Sequence, residues 1–90
     1  MPFVRVVISG HVQGVGFRAF VHSQARALGC VGEVWNRADR RVEAIVGHPR
    51  PEVLDTFCKN LWNGPGHVSE VERFEHPGAD YDRFEIGLTR

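Results

Sequence analysis

The stretch Gly10-His11-Val12-Gln13-Gly14-Val15-Gly16-Phe17-Arg18 decides the fold, because it joins an alternating apolar run to an apolar run with helical spacing. The run before it, residues 3–9, predicts a strand, and the run after it, residues 18–28, predicts a helix. Glycines in the connection allow positive φ angles and a close approach to another group. Several backbone N–H groups then converge near the positive end of the helix dipole, which is an arrangement that binds phosphate-like anions.

Arg18 strengthens this interpretation, because a planar guanidinium in the first helical turn can meet two phosphate oxygens at once. Glycines alone would be explained more simply as a turn followed by a solvated arginine. The order of strand, loop, helix and arginine favours anion binding instead. The pattern is neither the dinucleotide fingerprint nor a Walker loop, which would end in Gly-Lys-Ser/Thr.

The same nine residues resemble the signature loop of acylphosphatases, G-x-V-Q-G-V-x-F/Y-R, and every fixed position of that pattern is filled. The resemblance extends to chain length and element order. It implies a metal-independent hydrolase that converts acyl phosphates to a carboxylate and inorganic phosphate, with no cofactor. It also implies a phosphate-binding loop, formed by Gln13, Gly14, Val15, Gly16, Phe17 and Arg18, in which Arg18 is catalytic.

Asn36 is the second candidate catalytic residue. By strand parity it faces the same side as Val34, so it points toward the helices, near the N-terminus of the first one, if Val34 packs under them. An asparagine at a strand end usually orders a turn, whereas the resemblance implies that Asn36 positions the attacking water. The neighbouring sequence departs from the family, which usually has an aromatic residue in place of Glu33 and a glycine in place of Arg40.

The order of elements predicts an α+β fold of the ferredoxin-like βαββαβ type. Strands are predicted at residues 3–9, 30–36, 41–46, 68–75 and 84–88, and helices at 18–28 and 51–61. The expected sheet is antiparallel, with both helices on one face and a short C-terminal strand added. Within the fourth strand, Val68, Val71 and Phe74 lie three residues apart, which suggests a β-bulge.

Composition limits the classes of function. Ninety residues predict a single domain, residues 1–90, and a formal net charge of zero argues against a polyanion-binding protein. No signal peptide or membrane span is apparent, and Cys30 and Cys58 have neither metal-binding nor disulfide-framework spacing. We therefore expect a cytoplasmic monomer whose partners are a small acyl phosphate and inorganic phosphate, with no nucleic acid and no membrane.

Other chemistries find less support in the sequence. The five histidines show no ligand spacing, so no metal site is predicted. An RNA-binding sheet would display aromatic residues on its open face, and Trp35 is a candidate for such a residue, but no further aromatic run accompanies it. A third alternative is the acylphosphatase-like domain of carbamoyl-transfer maturation proteins. The lack of any further domain in these 90 residues argues against this alternative.

Overall fold

Seven regular elements build the structure, a computed structural model that describes residues 1–90. In chain order they are β1 (Phe3–His11), α1 (Phe17–Leu28), β2 (Val31–Asn36), β3 (Val42–Gly47), α2 (Pro51–Asn60), β4 (His67–His76) and β5 (Phe84–Ile86). One 3₁₀ turn, Leu61–Asn63, follows α2. The predicted order of elements is therefore confirmed, and the boundaries agree to within a few residues.

The strands form one sheet in the order β4-β1-β3-β2-β5. Each neighbouring pair among β4, β1, β3 and β2 is antiparallel, as expected for the ferredoxin-like arrangement. The fifth strand pairs with β2 in parallel and makes the complete sheet mixed. The parallel direction of β5 follows from the segment that joins β4 to β5. These two strands lie at opposite edges of the sheet, so the segment runs from one edge to the other before β5 begins.

Both helices cover the same face of the sheet. The buried positions of α1 are Phe17, Val21 and Ala25, spaced four residues apart, so one side of the helix faces the sheet. Leu54 and Phe57 of α2 join them in a core of 16 buried residues. Full burial of each large apolar side chain contributes about 1.5–3 kcal/mol, which makes this layer the main source of stability. Neither helix is long and apolar enough to cross a membrane.

The predicted bulge lies in β4 and explains its irregular spacing. Ser9 pairs with Glu70 whereas Gly10 pairs with Val68, so Ser69 has no partner on β1. Val68 and Val71 consequently both pack against the core. Phe74 lies on the opposite face of the sheet, where the Arg5 guanidinium stacks 4.3 Å from its ring centroid.

The hairpin between β2 and β3 keeps a regular turn despite Arg40. Arg40 N–H donates to the Arg37 carbonyl, and Arg37 N–H donates to the Arg41 carbonyl. These bonds define a type I turn followed by a residue in the left-handed region, which is usually glycine. Arg40 occupies that position with φ of +74° and is the one non-glycine residue with positive φ. The hairpin geometry is thus retained at the expense of backbone strain.

Replacing Arg40 with glycine is expected to stabilise the protein. Relief of the left-handed strain, less the greater freedom of glycine in the unfolded chain, should raise the free energy of unfolding by about 1 kcal/mol. For a domain of this size that is a rise in Tm of about 4–8 °C. Thermal unfolding measures it. Arg40→Ala removes the same side chain but keeps the strain, so it should show no comparable gain, and an equal gain would contradict the explanation.

Candidate active site

The loop between β1 and α1 turns a row of backbone donors away from the protein. The N–H groups from Gln13 to Ala19 donate no hydrogen bond to any protein acceptor. Gly14 and Gly16 have φ angles of +74° and +84°, a conformation that would strain other residues. Consecutive N–H groups in such a backbone form a concave surface with partial positive charge, which is suited to an anion.

Side chains on the two flanks of the loop hold this backbone in place. Val12 and Phe17 are each 1% exposed and belong to the core between the sheet and the helices. On the other side, the Gln13 side-chain amide donates to the carbonyls of Arg37 (2.8 Å) and Arg41 (2.9 Å). The sequence predicts Gln13 as part of the phosphate-binding loop, and in the structure its side chain ties that loop to the β2–β3 hairpin.

The N-terminus of α1 adds to the positive potential of the loop. Its N-cap residue, Gly16, makes no side-chain cap, and the first turn contains no acidic residue. The free N–H groups of this turn and the helix dipole are therefore not neutralised by a carboxylate of the protein. An anion in the loop would complete the cap.

Arg18 projects from this first turn and is held by a distant part of the chain. One of its guanidinium nitrogens, Nη1, donates to the carbonyl of Gly87 at 3.2 Å. Gly87 directly follows β5, and its own N–H donates to the Val34 carbonyl at 2.7 Å. The remaining guanidinium donors of Arg18 make no bond to the protein. Sequence reasoning missed Gly87, because a backbone carbonyl acts here and no side chain marks it.

Asn36 reaches the same cavity from the end of β2. Its neighbour two residues earlier, Val34, is fully buried under the helices, so Asn36 faces the helical side as strand parity predicts. The buried Asn36 Oδ1 accepts no hydrogen bond from any protein group. A buried polar atom without a partner costs about 1–3 kcal/mol, so this oxygen favours a hydrogen-bond donor that enters the cavity.

These groups surround a cavity of about 220 Å³. Its lining consists of Val12, Gly14, Gly16, Phe17, Arg18, Ala19, Asn36 and Ile86. The structure therefore brings Arg18 and Asn36 together, as expected, and adds Ile86 of β5, which no sequence motif marks. Arg18 is the one ionisable side chain in this lining, so no carboxylate, imidazole or thiol stands ready to transfer a proton.

The cysteines and histidines form no metal-binding cluster. No group of three or more His, Cys, Asp or Glu residues is arranged to hold a metal ion. Burial, and then the nearby Cys58, raise the pKa of Cys30 to about 11, so this thiol is protonated at neutral pH. Both cysteines are free; Cys30 is buried, whereas Cys58 is only partly buried.

The open face of the sheet is unsuited to stacking with nucleic-acid bases at Trp35. This residue is only 5% exposed, and the Arg90 guanidinium covers its ring at 3.9 Å from the centroid. Arg90 also donates to Glu33 at 2.7 Å, and Tyr81 donates to the other oxygen of Glu33 at 3.1 Å. Glu33 therefore anchors the C-terminal segment over this face.

Comparison with known proteins gives one consistent family. The acylphosphatase family model matches residues 4–86. The acylphosphatase of Koribacter versatilis is 45% identical over 71 residues, which are 79% of this chain and 63% of that protein. The acylphosphatase of Acaryochloris marina is 40% identical over 85 residues, 92% of this chain and 90% of that protein.

Among solved structures, the crystal structure of acylphosphatase from Bacillus subtilis superposes with a TM-score of 0.90 and 34% identity. The superposition covers 97% of this chain and 99% of that one. Fold, loop and sequence thus agree over nearly the whole length. The chain belongs to the acylphosphatase family.

Proposed function

We propose that the cavity between the β1–α1 loop and Asn36 hydrolyses acyl phosphates to a carboxylate and inorganic phosphate. The observation that carries this proposal is the convergence of three features on one small space. These are the unpaired N–H groups of residues 13–19, the Arg18 guanidinium and the unpartnered Asn36 Oδ1. The first two suit a phosphoryl group, and the third suits a water molecule beside it.

The phosphoryl group is held by the loop. Backbone N–H groups and Arg18 donate to its nonbridging oxygens, where negative charge accumulates in the transition state of phosphoryl transfer. The loop is fixed by Val12, Phe17 and Gln13, and Arg18 by the Gly87 carbonyl. Because these donors are already oriented, little reorganisation is needed when the charge develops.

Asn36 acts on the nucleophile. Its side-chain oxygen accepts a hydrogen bond from a water molecule and aims that water at phosphorus, opposite the acyl oxygen. The water oxygen forms a bond to phosphorus as the bond between phosphorus and the acyl oxygen breaks. The electron pair of that bond leaves with the carboxylate, and the protons of the water finish on the phosphate.

The chemistry of the leaving group explains why the reaction needs so few functional groups in this cavity. A carboxylate is stable as an anion and needs no general acid, in contrast to the alkoxide released from a phosphate monoester. The cavity lining accordingly contains no residue that could donate a proton at neutral pH. The proposed reaction proceeds without a metal ion or cofactor, since Arg18 and the amides supply the positive charge.

Residues 1–90 act, in this proposal, as one acylphosphatase-like domain that works as a monomer in the cytoplasm. The groups that this mechanism uses, Arg18, Asn36 and the loop N–H groups, all line one cavity of a single chain. The two free cysteines are consistent with a reducing compartment.

Activity should be selective for acyl phosphates and should survive chelation. Phosphate release from benzoyl phosphate is expected to continue in excess EDTA, because no step uses a metal, while a phenyl phosphate control should give little or no release. Inorganic phosphate should inhibit competitively, since it meets the same donors. Loss of activity in EDTA with recovery on adding a divalent metal would contradict the mechanism.

Arg18→Lys should weaken both phosphate binding and turnover. Lysine keeps the charge but replaces a planar set of donors with a single ammonium, which cannot contact Gly87 and two phosphate oxygens in the same geometry. Phosphate affinity measured by calorimetry and kcat measured on benzoyl phosphate test this expectation. Arg50→Lys is the matched control, because Arg50 is exposed and lies beyond β3, away from the loop. Unchanged phosphate affinity in Arg18→Lys would show that another group binds the anion.

Asn36→Ala should separate water positioning from phosphate binding. We expect kcat to fall by about 10²-fold or more, while the Kd of phosphate changes little. The Tm should not fall, because the substitution removes a buried oxygen that had no partner. Asn63→Ala, at an exposed asparagine of the 3₁₀ turn, is the control and should leave kcat unchanged. A normal kcat with a lowered Tm would instead identify Asn36 as a turn residue.

A further inference from the structure

A second and larger concavity lies beside the proposed phosphate site. It is a groove of about 790 Å³ between the C-terminal half of α1 and the segment that contains β5. His22 and Arg26 line it from the helix, and Asp82, Arg83 and Glu85 line it from the opposite wall. Phe84, 5% exposed, contributes apolar surface, with the His22 ring 6.2 Å from it between centroids.

The groove and the phosphate cavity share one lining residue. Ile86 lines both spaces and is 47% exposed, so it forms an apolar step between them. On the helical side, Arg18, His22 and Arg26 are spaced four residues apart and therefore follow one another along a single face of α1. Ile86 is therefore the side chain that an acyl chain would cross to pass from the phosphate cavity to this groove.

Charges on the two walls differ in how well they are compensated. On the β5 side, Arg83 donates to Glu85 at 2.8 Å. The hydrogen bond to Glu85, followed by the charges of Glu85 and Asp82, raises the pKa of Arg83 above its usual value. On the helical side, Arg26 makes no side-chain hydrogen bond and has no carboxylate within 4.0 Å. Arg26 is therefore the cation of the groove that remains free to meet an anionic ligand.

We propose that this groove binds the acyl part of the substrate and that Arg26 selects acyl phosphates carrying a second anionic group. The inference rests on the function proposed above. Eight residues of helix place Arg26 about 12 Å beyond Arg18 along the axis, and the long side chain of Arg26 shortens the gap. The phosphate of a dicarboxylic acid with two or three methylene groups suits this span, since its methylenes cross Ile86 and its free carboxylate meets Arg26.

Comparison of succinyl phosphate with acetyl phosphate tests the assignment. The parent protein is expected to show a higher kcat/KM for succinyl phosphate. Arg26→Gln should lower that value by about 5- to 10-fold, the scale of an exposed charged hydrogen bond. The value for acetyl phosphate should stay within about twofold, because acetyl phosphate does not reach Arg26. The preference should also shrink at about 0.5 M salt, as a charge interaction does.

Two variants control for effects other than contact. Lys59→Gln removes an exposed cation from the last turn of α2 and makes the same change in net charge, so it should leave both substrates unaffected. Arg26→Lys should restore part of the preference for succinyl phosphate. Far-ultraviolet circular dichroism and Tm verify that each variant is folded, and the ratio of the two kcat/KM values cancels any difference in active fraction.

Binding of phosphonates separates failure of this inference from failure of the proposed function. The parent protein should bind 4-phosphonobutanoate about 5- to 10-fold more tightly than butylphosphonate, and Arg26→Gln should remove the difference. Equal affinities in the parent protein, or equal losses for both ligands in Arg26→Gln, would overturn the role of Arg26 alone. If neither phosphonate competes with inorganic phosphate, the phosphate site itself is wrong and the groove assignment is overturned with it.

Discussion

The N–H groups of residues 13–19 donate to no protein acceptor, and the rest of the structure has to hold them in place all the same. Hydrogen-bond donors without partners are costly when they are kept from water, at about 1–3 kcal/mol for each buried group. They persist here because the loop is open to solvent on one side and firmly held on the other. The fold satisfies both needs by placing the loop at the edge of the helical layer, with its apolar side chains in the core.

The loop and the β2–β3 hairpin behave as one unit because Gln13 joins them. A single amide group bridges the carbonyls of Arg37 and Arg41, directly beyond the strand end that carries Asn36. The part of the cavity suited to phosphate and the part suited to water therefore keep a fixed relation. The proposed in-line attack depends on that relation, because small errors in the position of a nucleophile reduce reaction rates strongly.

Local sequence was sufficient to predict the β1–α1 loop and the order of the elements, and to tie the orientation of Asn36 to that of Val34. Each of these depends on neighbouring residues, through glycine conformation, apolar periodicity or strand parity. The contributions of Gly87, Ile86 and the side chain of Gln13 could not be predicted in the same way. They arise from pairing between distant segments, and the parallel direction of β5 has no signal in its own short sequence. The turn at Arg40 could be predicted only in part. The sequence shows an arginine at a position where the turn favours glycine, and the structure shows that Arg40 adopts a positive φ there.

The hydrogen bond from Arg18 to Gly87 has a consequence for the order in which the parts of the protein fold. The two residues are 69 positions apart, whereas the loop and α1 are built from adjacent residues. Contacts of such long sequence separation carry a large loop-closure entropy and tend to form late in folding. A partly folded chain can therefore contain the loop and α1 while the guanidinium of Arg18 is not yet oriented. In the mechanism proposed above, catalysis requires that β5 dock on β2, so activity would report completed folding and not merely the presence of secondary structure.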